Sequence, residues 1–132
     1  MSALNVTGRC HCGRVTFSVV IDVEVRVQQC NCSICAMLGF LHLIVPADRF
    51  SLLSGKNALL EYRFNSGIAR HLFCAGCGVK SFYVPRSNPD GISVNLRCLD
   101  LPDSVIVRLE YFDGRHWQLN AAALRNLSRS ET

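Results

Sequence analysis

The spacing of the cysteines constrains this chain more than any other feature of its sequence. There are eight cysteines in 132 residues, and seven of them fall into short groups. Grouped thiols either form disulfides, as in secreted proteins, or bind a metal ion. Residues 1–9 contain neither the basic nor the apolar segment of a secretory signal. We therefore expect a cytoplasmic protein whose reduced thiols bind metal.

Two of the cysteine groups can together form one closed metal site. Residues 10–13 read C-H-C-G, and residues 74–78 read C-A-G-C-G. A C-x-x-C turn followed by glycine directs both sulfurs at one ion, and a C-x-C pair can supply the other two. Zinc favours such a tetrahedron of thiolates, and a site without an open position is structural. Its predicted ligands are Cys10, Cys12, Cys74 and Cys77.

The remaining group predicts a second zinc ion of a different kind. Residues 30–35 read C-N-C-S-I-C and offer three thiols, which leave a fourth coordination position for water or substrate, as in catalytic zinc sites. Two alternatives stay open. In the first, Cys98 or His42 completes this site and makes it structural. In the second, Cys10 and Cys12 share an ion with Cys30 and Cys32. The predicted ligands are Cys30, Cys32 and Cys35.

Short runs of β-branched and aromatic residues, several alternating with a period of two, predict strands. Only a turn or two after Cys35 and residues 119–127 look helical. Asp90-Gly91 and Asp113-Gly114 predict hairpin turns. We expect a single, mainly β domain with little helix and a frayed tail at residues 127–132. The clearest predicted strands are residues 14–19, 41–45, 59–64 and 105–109.

The formal net charge of +4 gives little support for a nucleic-acid partner. Seven thiolates and two zinc ions would reduce it to about +1, because zinc binds cysteine as thiolate. No run of five or more like charges and no apolar stretch of membrane-spanning length occurs in the sequence. We therefore expect neither a nucleic acid nor a membrane as partner.

Three motif-bearing segments carry a resemblance to a known family. Residues 8–15 (GRCHCGRV), 30–35 (CNCSIC) and 73–78 (FCAGCG) together resemble the glutathione-dependent formaldehyde-activating enzyme family, which also contains centromere protein V. Residues 45–50 (VPADRF) and 83–89 (YVPRSNP) resemble the centromere protein V branch in particular. The resemblance implies a β-tent fold of short antiparallel sheets stapled by two zinc ions. By position, the four-cysteine set corresponds to the structural zinc and the three-cysteine set to the catalytic zinc.

The resemblance also implies a reaction. Enzymes of this family join formaldehyde to glutathione as S-hydroxymethylglutathione and are classed as carbon–sulfur lyases. A zinc ion held by three thiolates carries a net charge of −1, so it suits activation of a thiol better than strong polarisation of a carbonyl. The leading hypothesis is a zinc-dependent enzyme acting on a small thiol or thiol adduct. The alternative is a non-catalytic zinc module that binds another protein.

Candidate substrate-binding residues follow from the two carboxylates of glutathione, which arginine or lysine would bind. Arg86 is preferred because it lies in a loop bounded by prolines, and functional residues often lie in loops. His42 is a candidate proton shuttle, although a structural histidine is the simpler interpretation. Cys98 is either a small buried side chain or a thiol that faces a pocket. Further cations considered are Arg63, Arg70, Lys80 and Arg97.

Overall fold

The computed structural model describes residues 3–128, which form three small sheets. Their strand orders are β1-β2-β5, β10-β3-β4-β9-β8 and β6-β7. All neighbouring strands run antiparallel except β10, which is parallel to β3. The strands are β1 (Ala3–Arg9), β2 (Thr16–Asp22), β3 (Glu24–Cys30), β4 (Leu41–Pro46), β5 (Phe50–Ser54), β6 (Leu59–Tyr62), β7 (His71–Cys74), β8 (Phe82–Tyr83), β9 (Gly91–Asn95) and β10 (Ile106–Phe112).

Helical segments are short, so the prediction of a mainly β domain with little helix is confirmed. The two α-helices are α1 (Ser33–Leu38) and α2 (Trp117–Asn120), and α1 contains Cys35 instead of following it. None of the helices in the described part of the chain is long and apolar enough to cross a membrane. The described residues also contain five 3₁₀ segments: Ala47–Arg49, Lys56–Ala58, Leu96–Cys98, Gly114–His116 and Ala121–Ser128.

The main core lies where the inner face of β2 meets the five-stranded sheet. Alternate residues of β2 are buried, as expected for a strand with one covered face. The ring of Phe17 stacks on Phe50 with centroids 5.4 Å apart and meets Phe82 edge-on at 5.6 Å. Cys10 and Cys74 are buried in the same cluster of side chains. One predicted metal site therefore adjoins the core directly.

Strand β10 carries the C-terminal part of the chain to the end of β3. Its register places Phe112 opposite Cys30, and the Asn31 amide donates to the Phe112 carbonyl at 3.3 Å. The hairpin turn predicted at Asp113-Gly114 is wrong, because β10 pairs in parallel and the chain continues into a 3₁₀ turn. This topology brings residues 112–117 beside the three-cysteine group.

The predicted tail at residues 127–132 is corrected at Ser128, which is 3% exposed. Its hydroxyl donates to Asp90 at 2.6 Å and accepts from the Asn88 side chain at 2.8 Å. Asn88 also donates to the carbonyls of Leu124 and Arg125. These bonds fix the loop after β8 against the C-terminal segment. Residues 129–132 of the predicted tail lie outside the described residues.

Candidate metal centres and the adjoining cavity

The four-cysteine set converges at one point, although its members lie far apart in sequence. The four sulfurs all lie within 4.8 Å of one another. The Cys12 sulfur is 3.6 Å from the sulfurs of both Cys10 and Cys74. Four sulfurs placed tetrahedrally at about 2.3 Å from one ion would be separated by about 3.8 Å. The set of donors and its spacing fit zinc.

Tight turns direct these sulfurs inward. Gly13 and Gly78, with φ of +81° and +76°, end turns that glycine adopts without strain. The Gly78 amide donates to the Cys74 carbonyl at 2.8 Å, which closes the C-x-x-C turn. Backbone hydrogen bonds from Cys12 and Val79 lower the pKa of Cys77 to about 6. The turn therefore favours the thiolate form that zinc requires.

The three-cysteine set forms a second cluster at the end of β3 and the start of α1. Its sulfurs also lie within 4.8 Å of one another, and no other His, Cys, Asp or Glu joins them among the described residues. A hydrogen bond with Cys30 is the main cause that lowers the pKa of Cys32 to about 2 and raises that of Cys35. Three crowded sulfurs cannot all ionise without a cation, whereas a divalent ion would remove this conflict. The cluster thus fits a metal with three protein ligands and one open position.

Asn31 and Gly114 hold this cluster against the turn after β10. The Asn31 side chain donates to Asp113 at 2.9 Å and accepts from the Arg115 amide at 3.0 Å. At Gly114, a Cβ would lie 2.4 Å from the Cys30 sulfur and 3.0 Å from the Cys32 Cβ. No motif in the sequence marks either contact, because both join residues more than eighty positions apart.

Gly114→Ala is expected to weaken metal binding at this cluster while the domain stays folded. The added methyl group must displace the Cys30 sulfur, and disturbing the support of a metal ligand costs about 10- to 100-fold in affinity. Competition with a chromophoric chelator measures the affinity. The control is Gly39→Ala, which adds a methyl group at the end of α1 with nothing within 4 Å, so that its only cost is the backbone strain of a φ of +65°. Equal zinc affinity in Gly114→Ala and wild type would contradict this prediction.

A cavity of about 400 Å³ opens beside the three-cysteine cluster. All three cysteines line it, together with two buried histidines, His42 and His71. Another part of the cavity wall is apolar and belongs to a second, smaller core, which joins β4 to the C-terminal segment: Ile44, Phe112, Trp117 and Leu124.

Two comparisons bear on this arrangement. The sequence matches the family described as glutathione-dependent formaldehyde-activating enzyme over residues 5–115, which is most of the chain. The chain belongs to this family. A crystal structure of a Rhodobacter sphaeroides protein is similar to it, with a TM-score of 0.68 and 27% identity, covering 80% of this chain and 99% of that one.

Arg86, the preferred substrate-binding candidate in this member of the family, lies in the cavity wall. Its guanidinium carbon is 3.7 Å from the centroid of the Trp117 ring. Its Nε is buried and has no hydrogen-bond partner in the described structure. Arg115, which the sequence analysis missed, lines the same cavity. Two arginines therefore line the cavity.

His42 also lines the cavity and is 4% exposed. Its Nδ1 is 3.1 Å from both the Ser93 hydroxyl and the Tyr83 hydroxyl, whereas its buried Nε2 has no partner within residues 3–128. Burial and, next, the charge of Lys80 lower the pKa of His42 to about 3. The ring is therefore neutral at physiological pH and offers one unused nitrogen.

Cys98 lies elsewhere in this family member. It packs against the main core and lines a different pocket, with Gly8 and Asp100. Burial raises the pKa of its thiol to about 11, so it stays protonated. Neither Cys98 nor His42 places a ligand atom within 4.8 Å of all three sulfurs of the three-cysteine set.

The other predicted cations do not line the cavity. Arg63 and Arg70 form exposed ion pairs with Glu61, and Arg97 is exposed. Lys80 differs from these, since it is 6% exposed and contacts His71. Sequence reasoning gave no role to His71, because no recognisable motif surrounds it.

Proposed function

We propose that the chain is a zinc-dependent enzyme of the carbon–sulfur lyase type, with S-hydroxymethylglutathione as its leading substrate. In this reaction, the thiol sulfur of glutathione bonds to the formaldehyde carbon. The thiol proton ends on the former aldehyde oxygen, and the reverse reaction breaks the same bond. The observation that carries the proposal is the cluster of three cysteines in the wall of a cavity. This incomplete ligand set supports an enzyme over a binding module.

The metal part of the proposal is two zinc ions per chain, one at each cluster. At the second site, a zinc ion would lower the pKa of a bound thiol or polarise an aldehyde oxygen. Cys30, Cys32 and Cys35 hold that ion at the cavity wall. Cys10, Cys12, Cys74 and Cys77 hold the other ion and connect the end of β1 to the turn after β7.

The two guanidinium groups support a substrate with carboxylates. The guanidinium of Arg86 is held over Trp117, and its Nη groups can donate to a carboxylate, whereas its Nε is buried. Arg115 keeps its Nη groups for a second carboxylate while its Nε donates to the Asn31 carbonyl at 3.3 Å. Glutathione carries two carboxylates and one thiol, which matches two guanidinium groups beside one metal site.

Arg86→Gln is expected to raise KM for glutathione about 10- to 100-fold and to leave kcat nearly unchanged, since a hydrogen bond to a charged group contributes about 1.5–3 kcal/mol. Steady-state kinetics at varied glutathione concentration measure both KM and kcat. KM for mercaptoethanol, a thiol without a carboxylate, should not change. The matched control is Arg108→Gln, which removes an exposed arginine paired with Glu24 at 2.7 Å. Equal effects of both substitutions would contradict a specific carboxylate contact.

Exchange NMR tests the reaction itself. Zinc-loaded protein is mixed with glutathione and ¹³C-formaldehyde, and the rate of exchange between free formaldehyde and the adduct is compared with buffer. Acceleration by the protein supports the proposal. Acceleration with mercaptoethanol but not with glutathione would keep the reaction class and overturn the substrate, whereas no acceleration with any thiol would overturn the enzyme.

We also propose a branch of the family and a cellular location for the chain. We place the chain nearest the centromere protein V branch of its family, on the strength of residues 45–50 and 83–89. The second of these segments contains Arg86, so it contributes to the cavity wall. We also propose a cytoplasmic location, which the eight free cysteines support because reducing compartments keep thiols unpaired.

A further inference from the structure

Lys80 is a buried cation without an acidic partner. It is 6% exposed, and no Asp or Glu forms an ion pair with it in the part of the chain that the structure describes. Its Nζ lies 3.8 Å from the centroid of the Tyr83 ring and 5.1 Å from that of Phe40. Burying an ammonium group costs free energy unless other contacts offset it.

The contact between Lys80 and His71 has a defined direction. Lys80 Nζ is 2.7 Å from His71 Nδ1. Burial lowers the pKa of Lys80 only to about 8, so at pH 7 it is mainly an ammonium, which donates hydrogen bonds and cannot accept them, and Nδ1 accepts. Burial and, next, the charge of Lys80 lower the pKa of His71 to about 4, so the ring is neutral at pH 7. A neutral imidazole whose Nδ1 accepts carries its single proton on Nε2.

The His71 ring is held in place as well as in one tautomer. It stacks on Tyr83 with centroids 5.0 Å apart and an interplanar angle of 12°. The His71 ring also stacks on Phe64, with the two ring centroids 5.3 Å apart. The ring lines the cavity beside the three-cysteine cluster, and Nε2 has no hydrogen-bond partner within residues 3–128. A fixed N–H donor is therefore available to whatever occupies the cavity.

We propose that Lys80 fixes His71 as a hydrogen-bond donor to the oxygen of the aldehyde in the carbon–sulfur bond-forming reaction. This inference rests on the proposed function and assigns a residue to it. As the thiol sulfur bonds to the aldehyde carbon, negative charge develops on the aldehyde oxygen. A donor already oriented at that oxygen stabilises the charge without reorganisation. His71 contacts the substrate in this scheme, and Lys80 is a positioning residue.

The tautomer can be measured without any turnover. Long-range ¹H–¹⁵N spectra of zinc-loaded, ¹⁵N-labelled protein should show His71 protonated on Nε2 and unprotonated on Nδ1. In Lys80→Met this preference should be lost and the pKa of His71 should rise, with the melting temperature within a few degrees of wild type. A proton on Nδ1 in wild type, or an unchanged tautomer in Lys80→Met, would overturn the role of Lys80.

The donor role has its own readouts. The Nε2–H resonance should shift when glutathione and formaldehyde are added together, and much less with glutathione alone. His71→Leu should lower kcat about 10²-fold with little change in KM, as removal of one such donor does. His71→Gln, which keeps an amide donor, should recover part of that loss. Full activity in His71→Leu, or an unchanged resonance with both compounds, would overturn the donor role.

Failure of this inference is distinguishable from failure of the proposed function. If wild-type protein accelerates adduct formation and His71→Leu does so equally, the inference fails and the enzyme stands. If wild-type protein accelerates no thiol reaction, the proposed function and the donor role fail together, while the tautomer spectra still decide whether Lys80 fixes His71.

Discussion

Cys74→Ser is expected to leave the domain largely unfolded at room temperature. Cys74 is buried in the main core and supplies one of four sulfurs that connect the end of β1 with the turn after β7, across 62 positions between Cys12 and Cys74. Structural zinc contributes about 10 kcal/mol or more of apparent binding free energy. A domain of this size has a net stability of about 5–15 kcal/mol, so loss of the ion removes most of it.

Circular dichroism during thermal melting, together with zinc content, measures this effect. The control is Cys98→Ser, which removes a half-buried thiol that belongs to neither cluster and should melt close to wild type. A cooperative transition for Cys74→Ser within a few degrees of wild type would show that the four-cysteine site does not hold the fold together.

Cys32→Ser is expected to give a folded protein that has lost its activity. The three ligands of its cluster lie within six residues of one another, so this ion connects no distant segments of the chain. Cys32 is only partly buried and precedes α1, whose backbone hydrogen bond from Ala36 to the Cys32 carbonyl does not need the sulfur. Without the metal, turnover should fall about 10³-fold or more, since metal catalysis supplies several kcal/mol of transition-state stabilisation.

The measurements are zinc stoichiometry, the melting curve and the exchange rate of formaldehyde with glutathione. We expect one zinc ion per chain in place of two, a cooperative melt and a rate close to that of buffer. Together, the two serine variants separate the enzyme from the non-catalytic zinc module. If Cys32→Ser unfolds as Cys74→Ser does, both ions are structural, and the module becomes the better interpretation.

The sequence predicts which cysteines the structure brings together, because the geometry within each cysteine group is local. A C-x-x-C turn or three cysteines within residues 30–35 brings sulfurs together through a few backbone angles, whatever the rest of the chain does. Pairing of the turn at residues 10–13 with that at 74–78 followed from counting ligands. The strands were predictable for a similar reason, since their alternating pattern depends on adjacent residues.

The residues that shape the cavity could not be predicted, because the contacts that define them are distant in sequence. Gly114 lies against Cys30 only because β10 runs parallel to β3, whereas the Asp113-Gly114 pair by itself predicts a hairpin. Nothing in the sequence marks Lys80, one of the candidate substrate-binding cations, as buried. Its burial against His71 depends on how the strand ending at Cys74 and the one beginning at Phe82 pack.

The C-terminal cover of the cavity has a consequence for how members of the family diverge. The family match ends at residue 115, yet Trp117 and Leu124 line the cavity, and Trp117 stacks on Arg86. Both cysteine clusters, where the proposed chemistry would take place, lie inside the matched region. Part of the cavity wall lies outside that region. We therefore expect this short segment to change more readily than the rest, so that related enzymes keep one reaction while selecting different thiols.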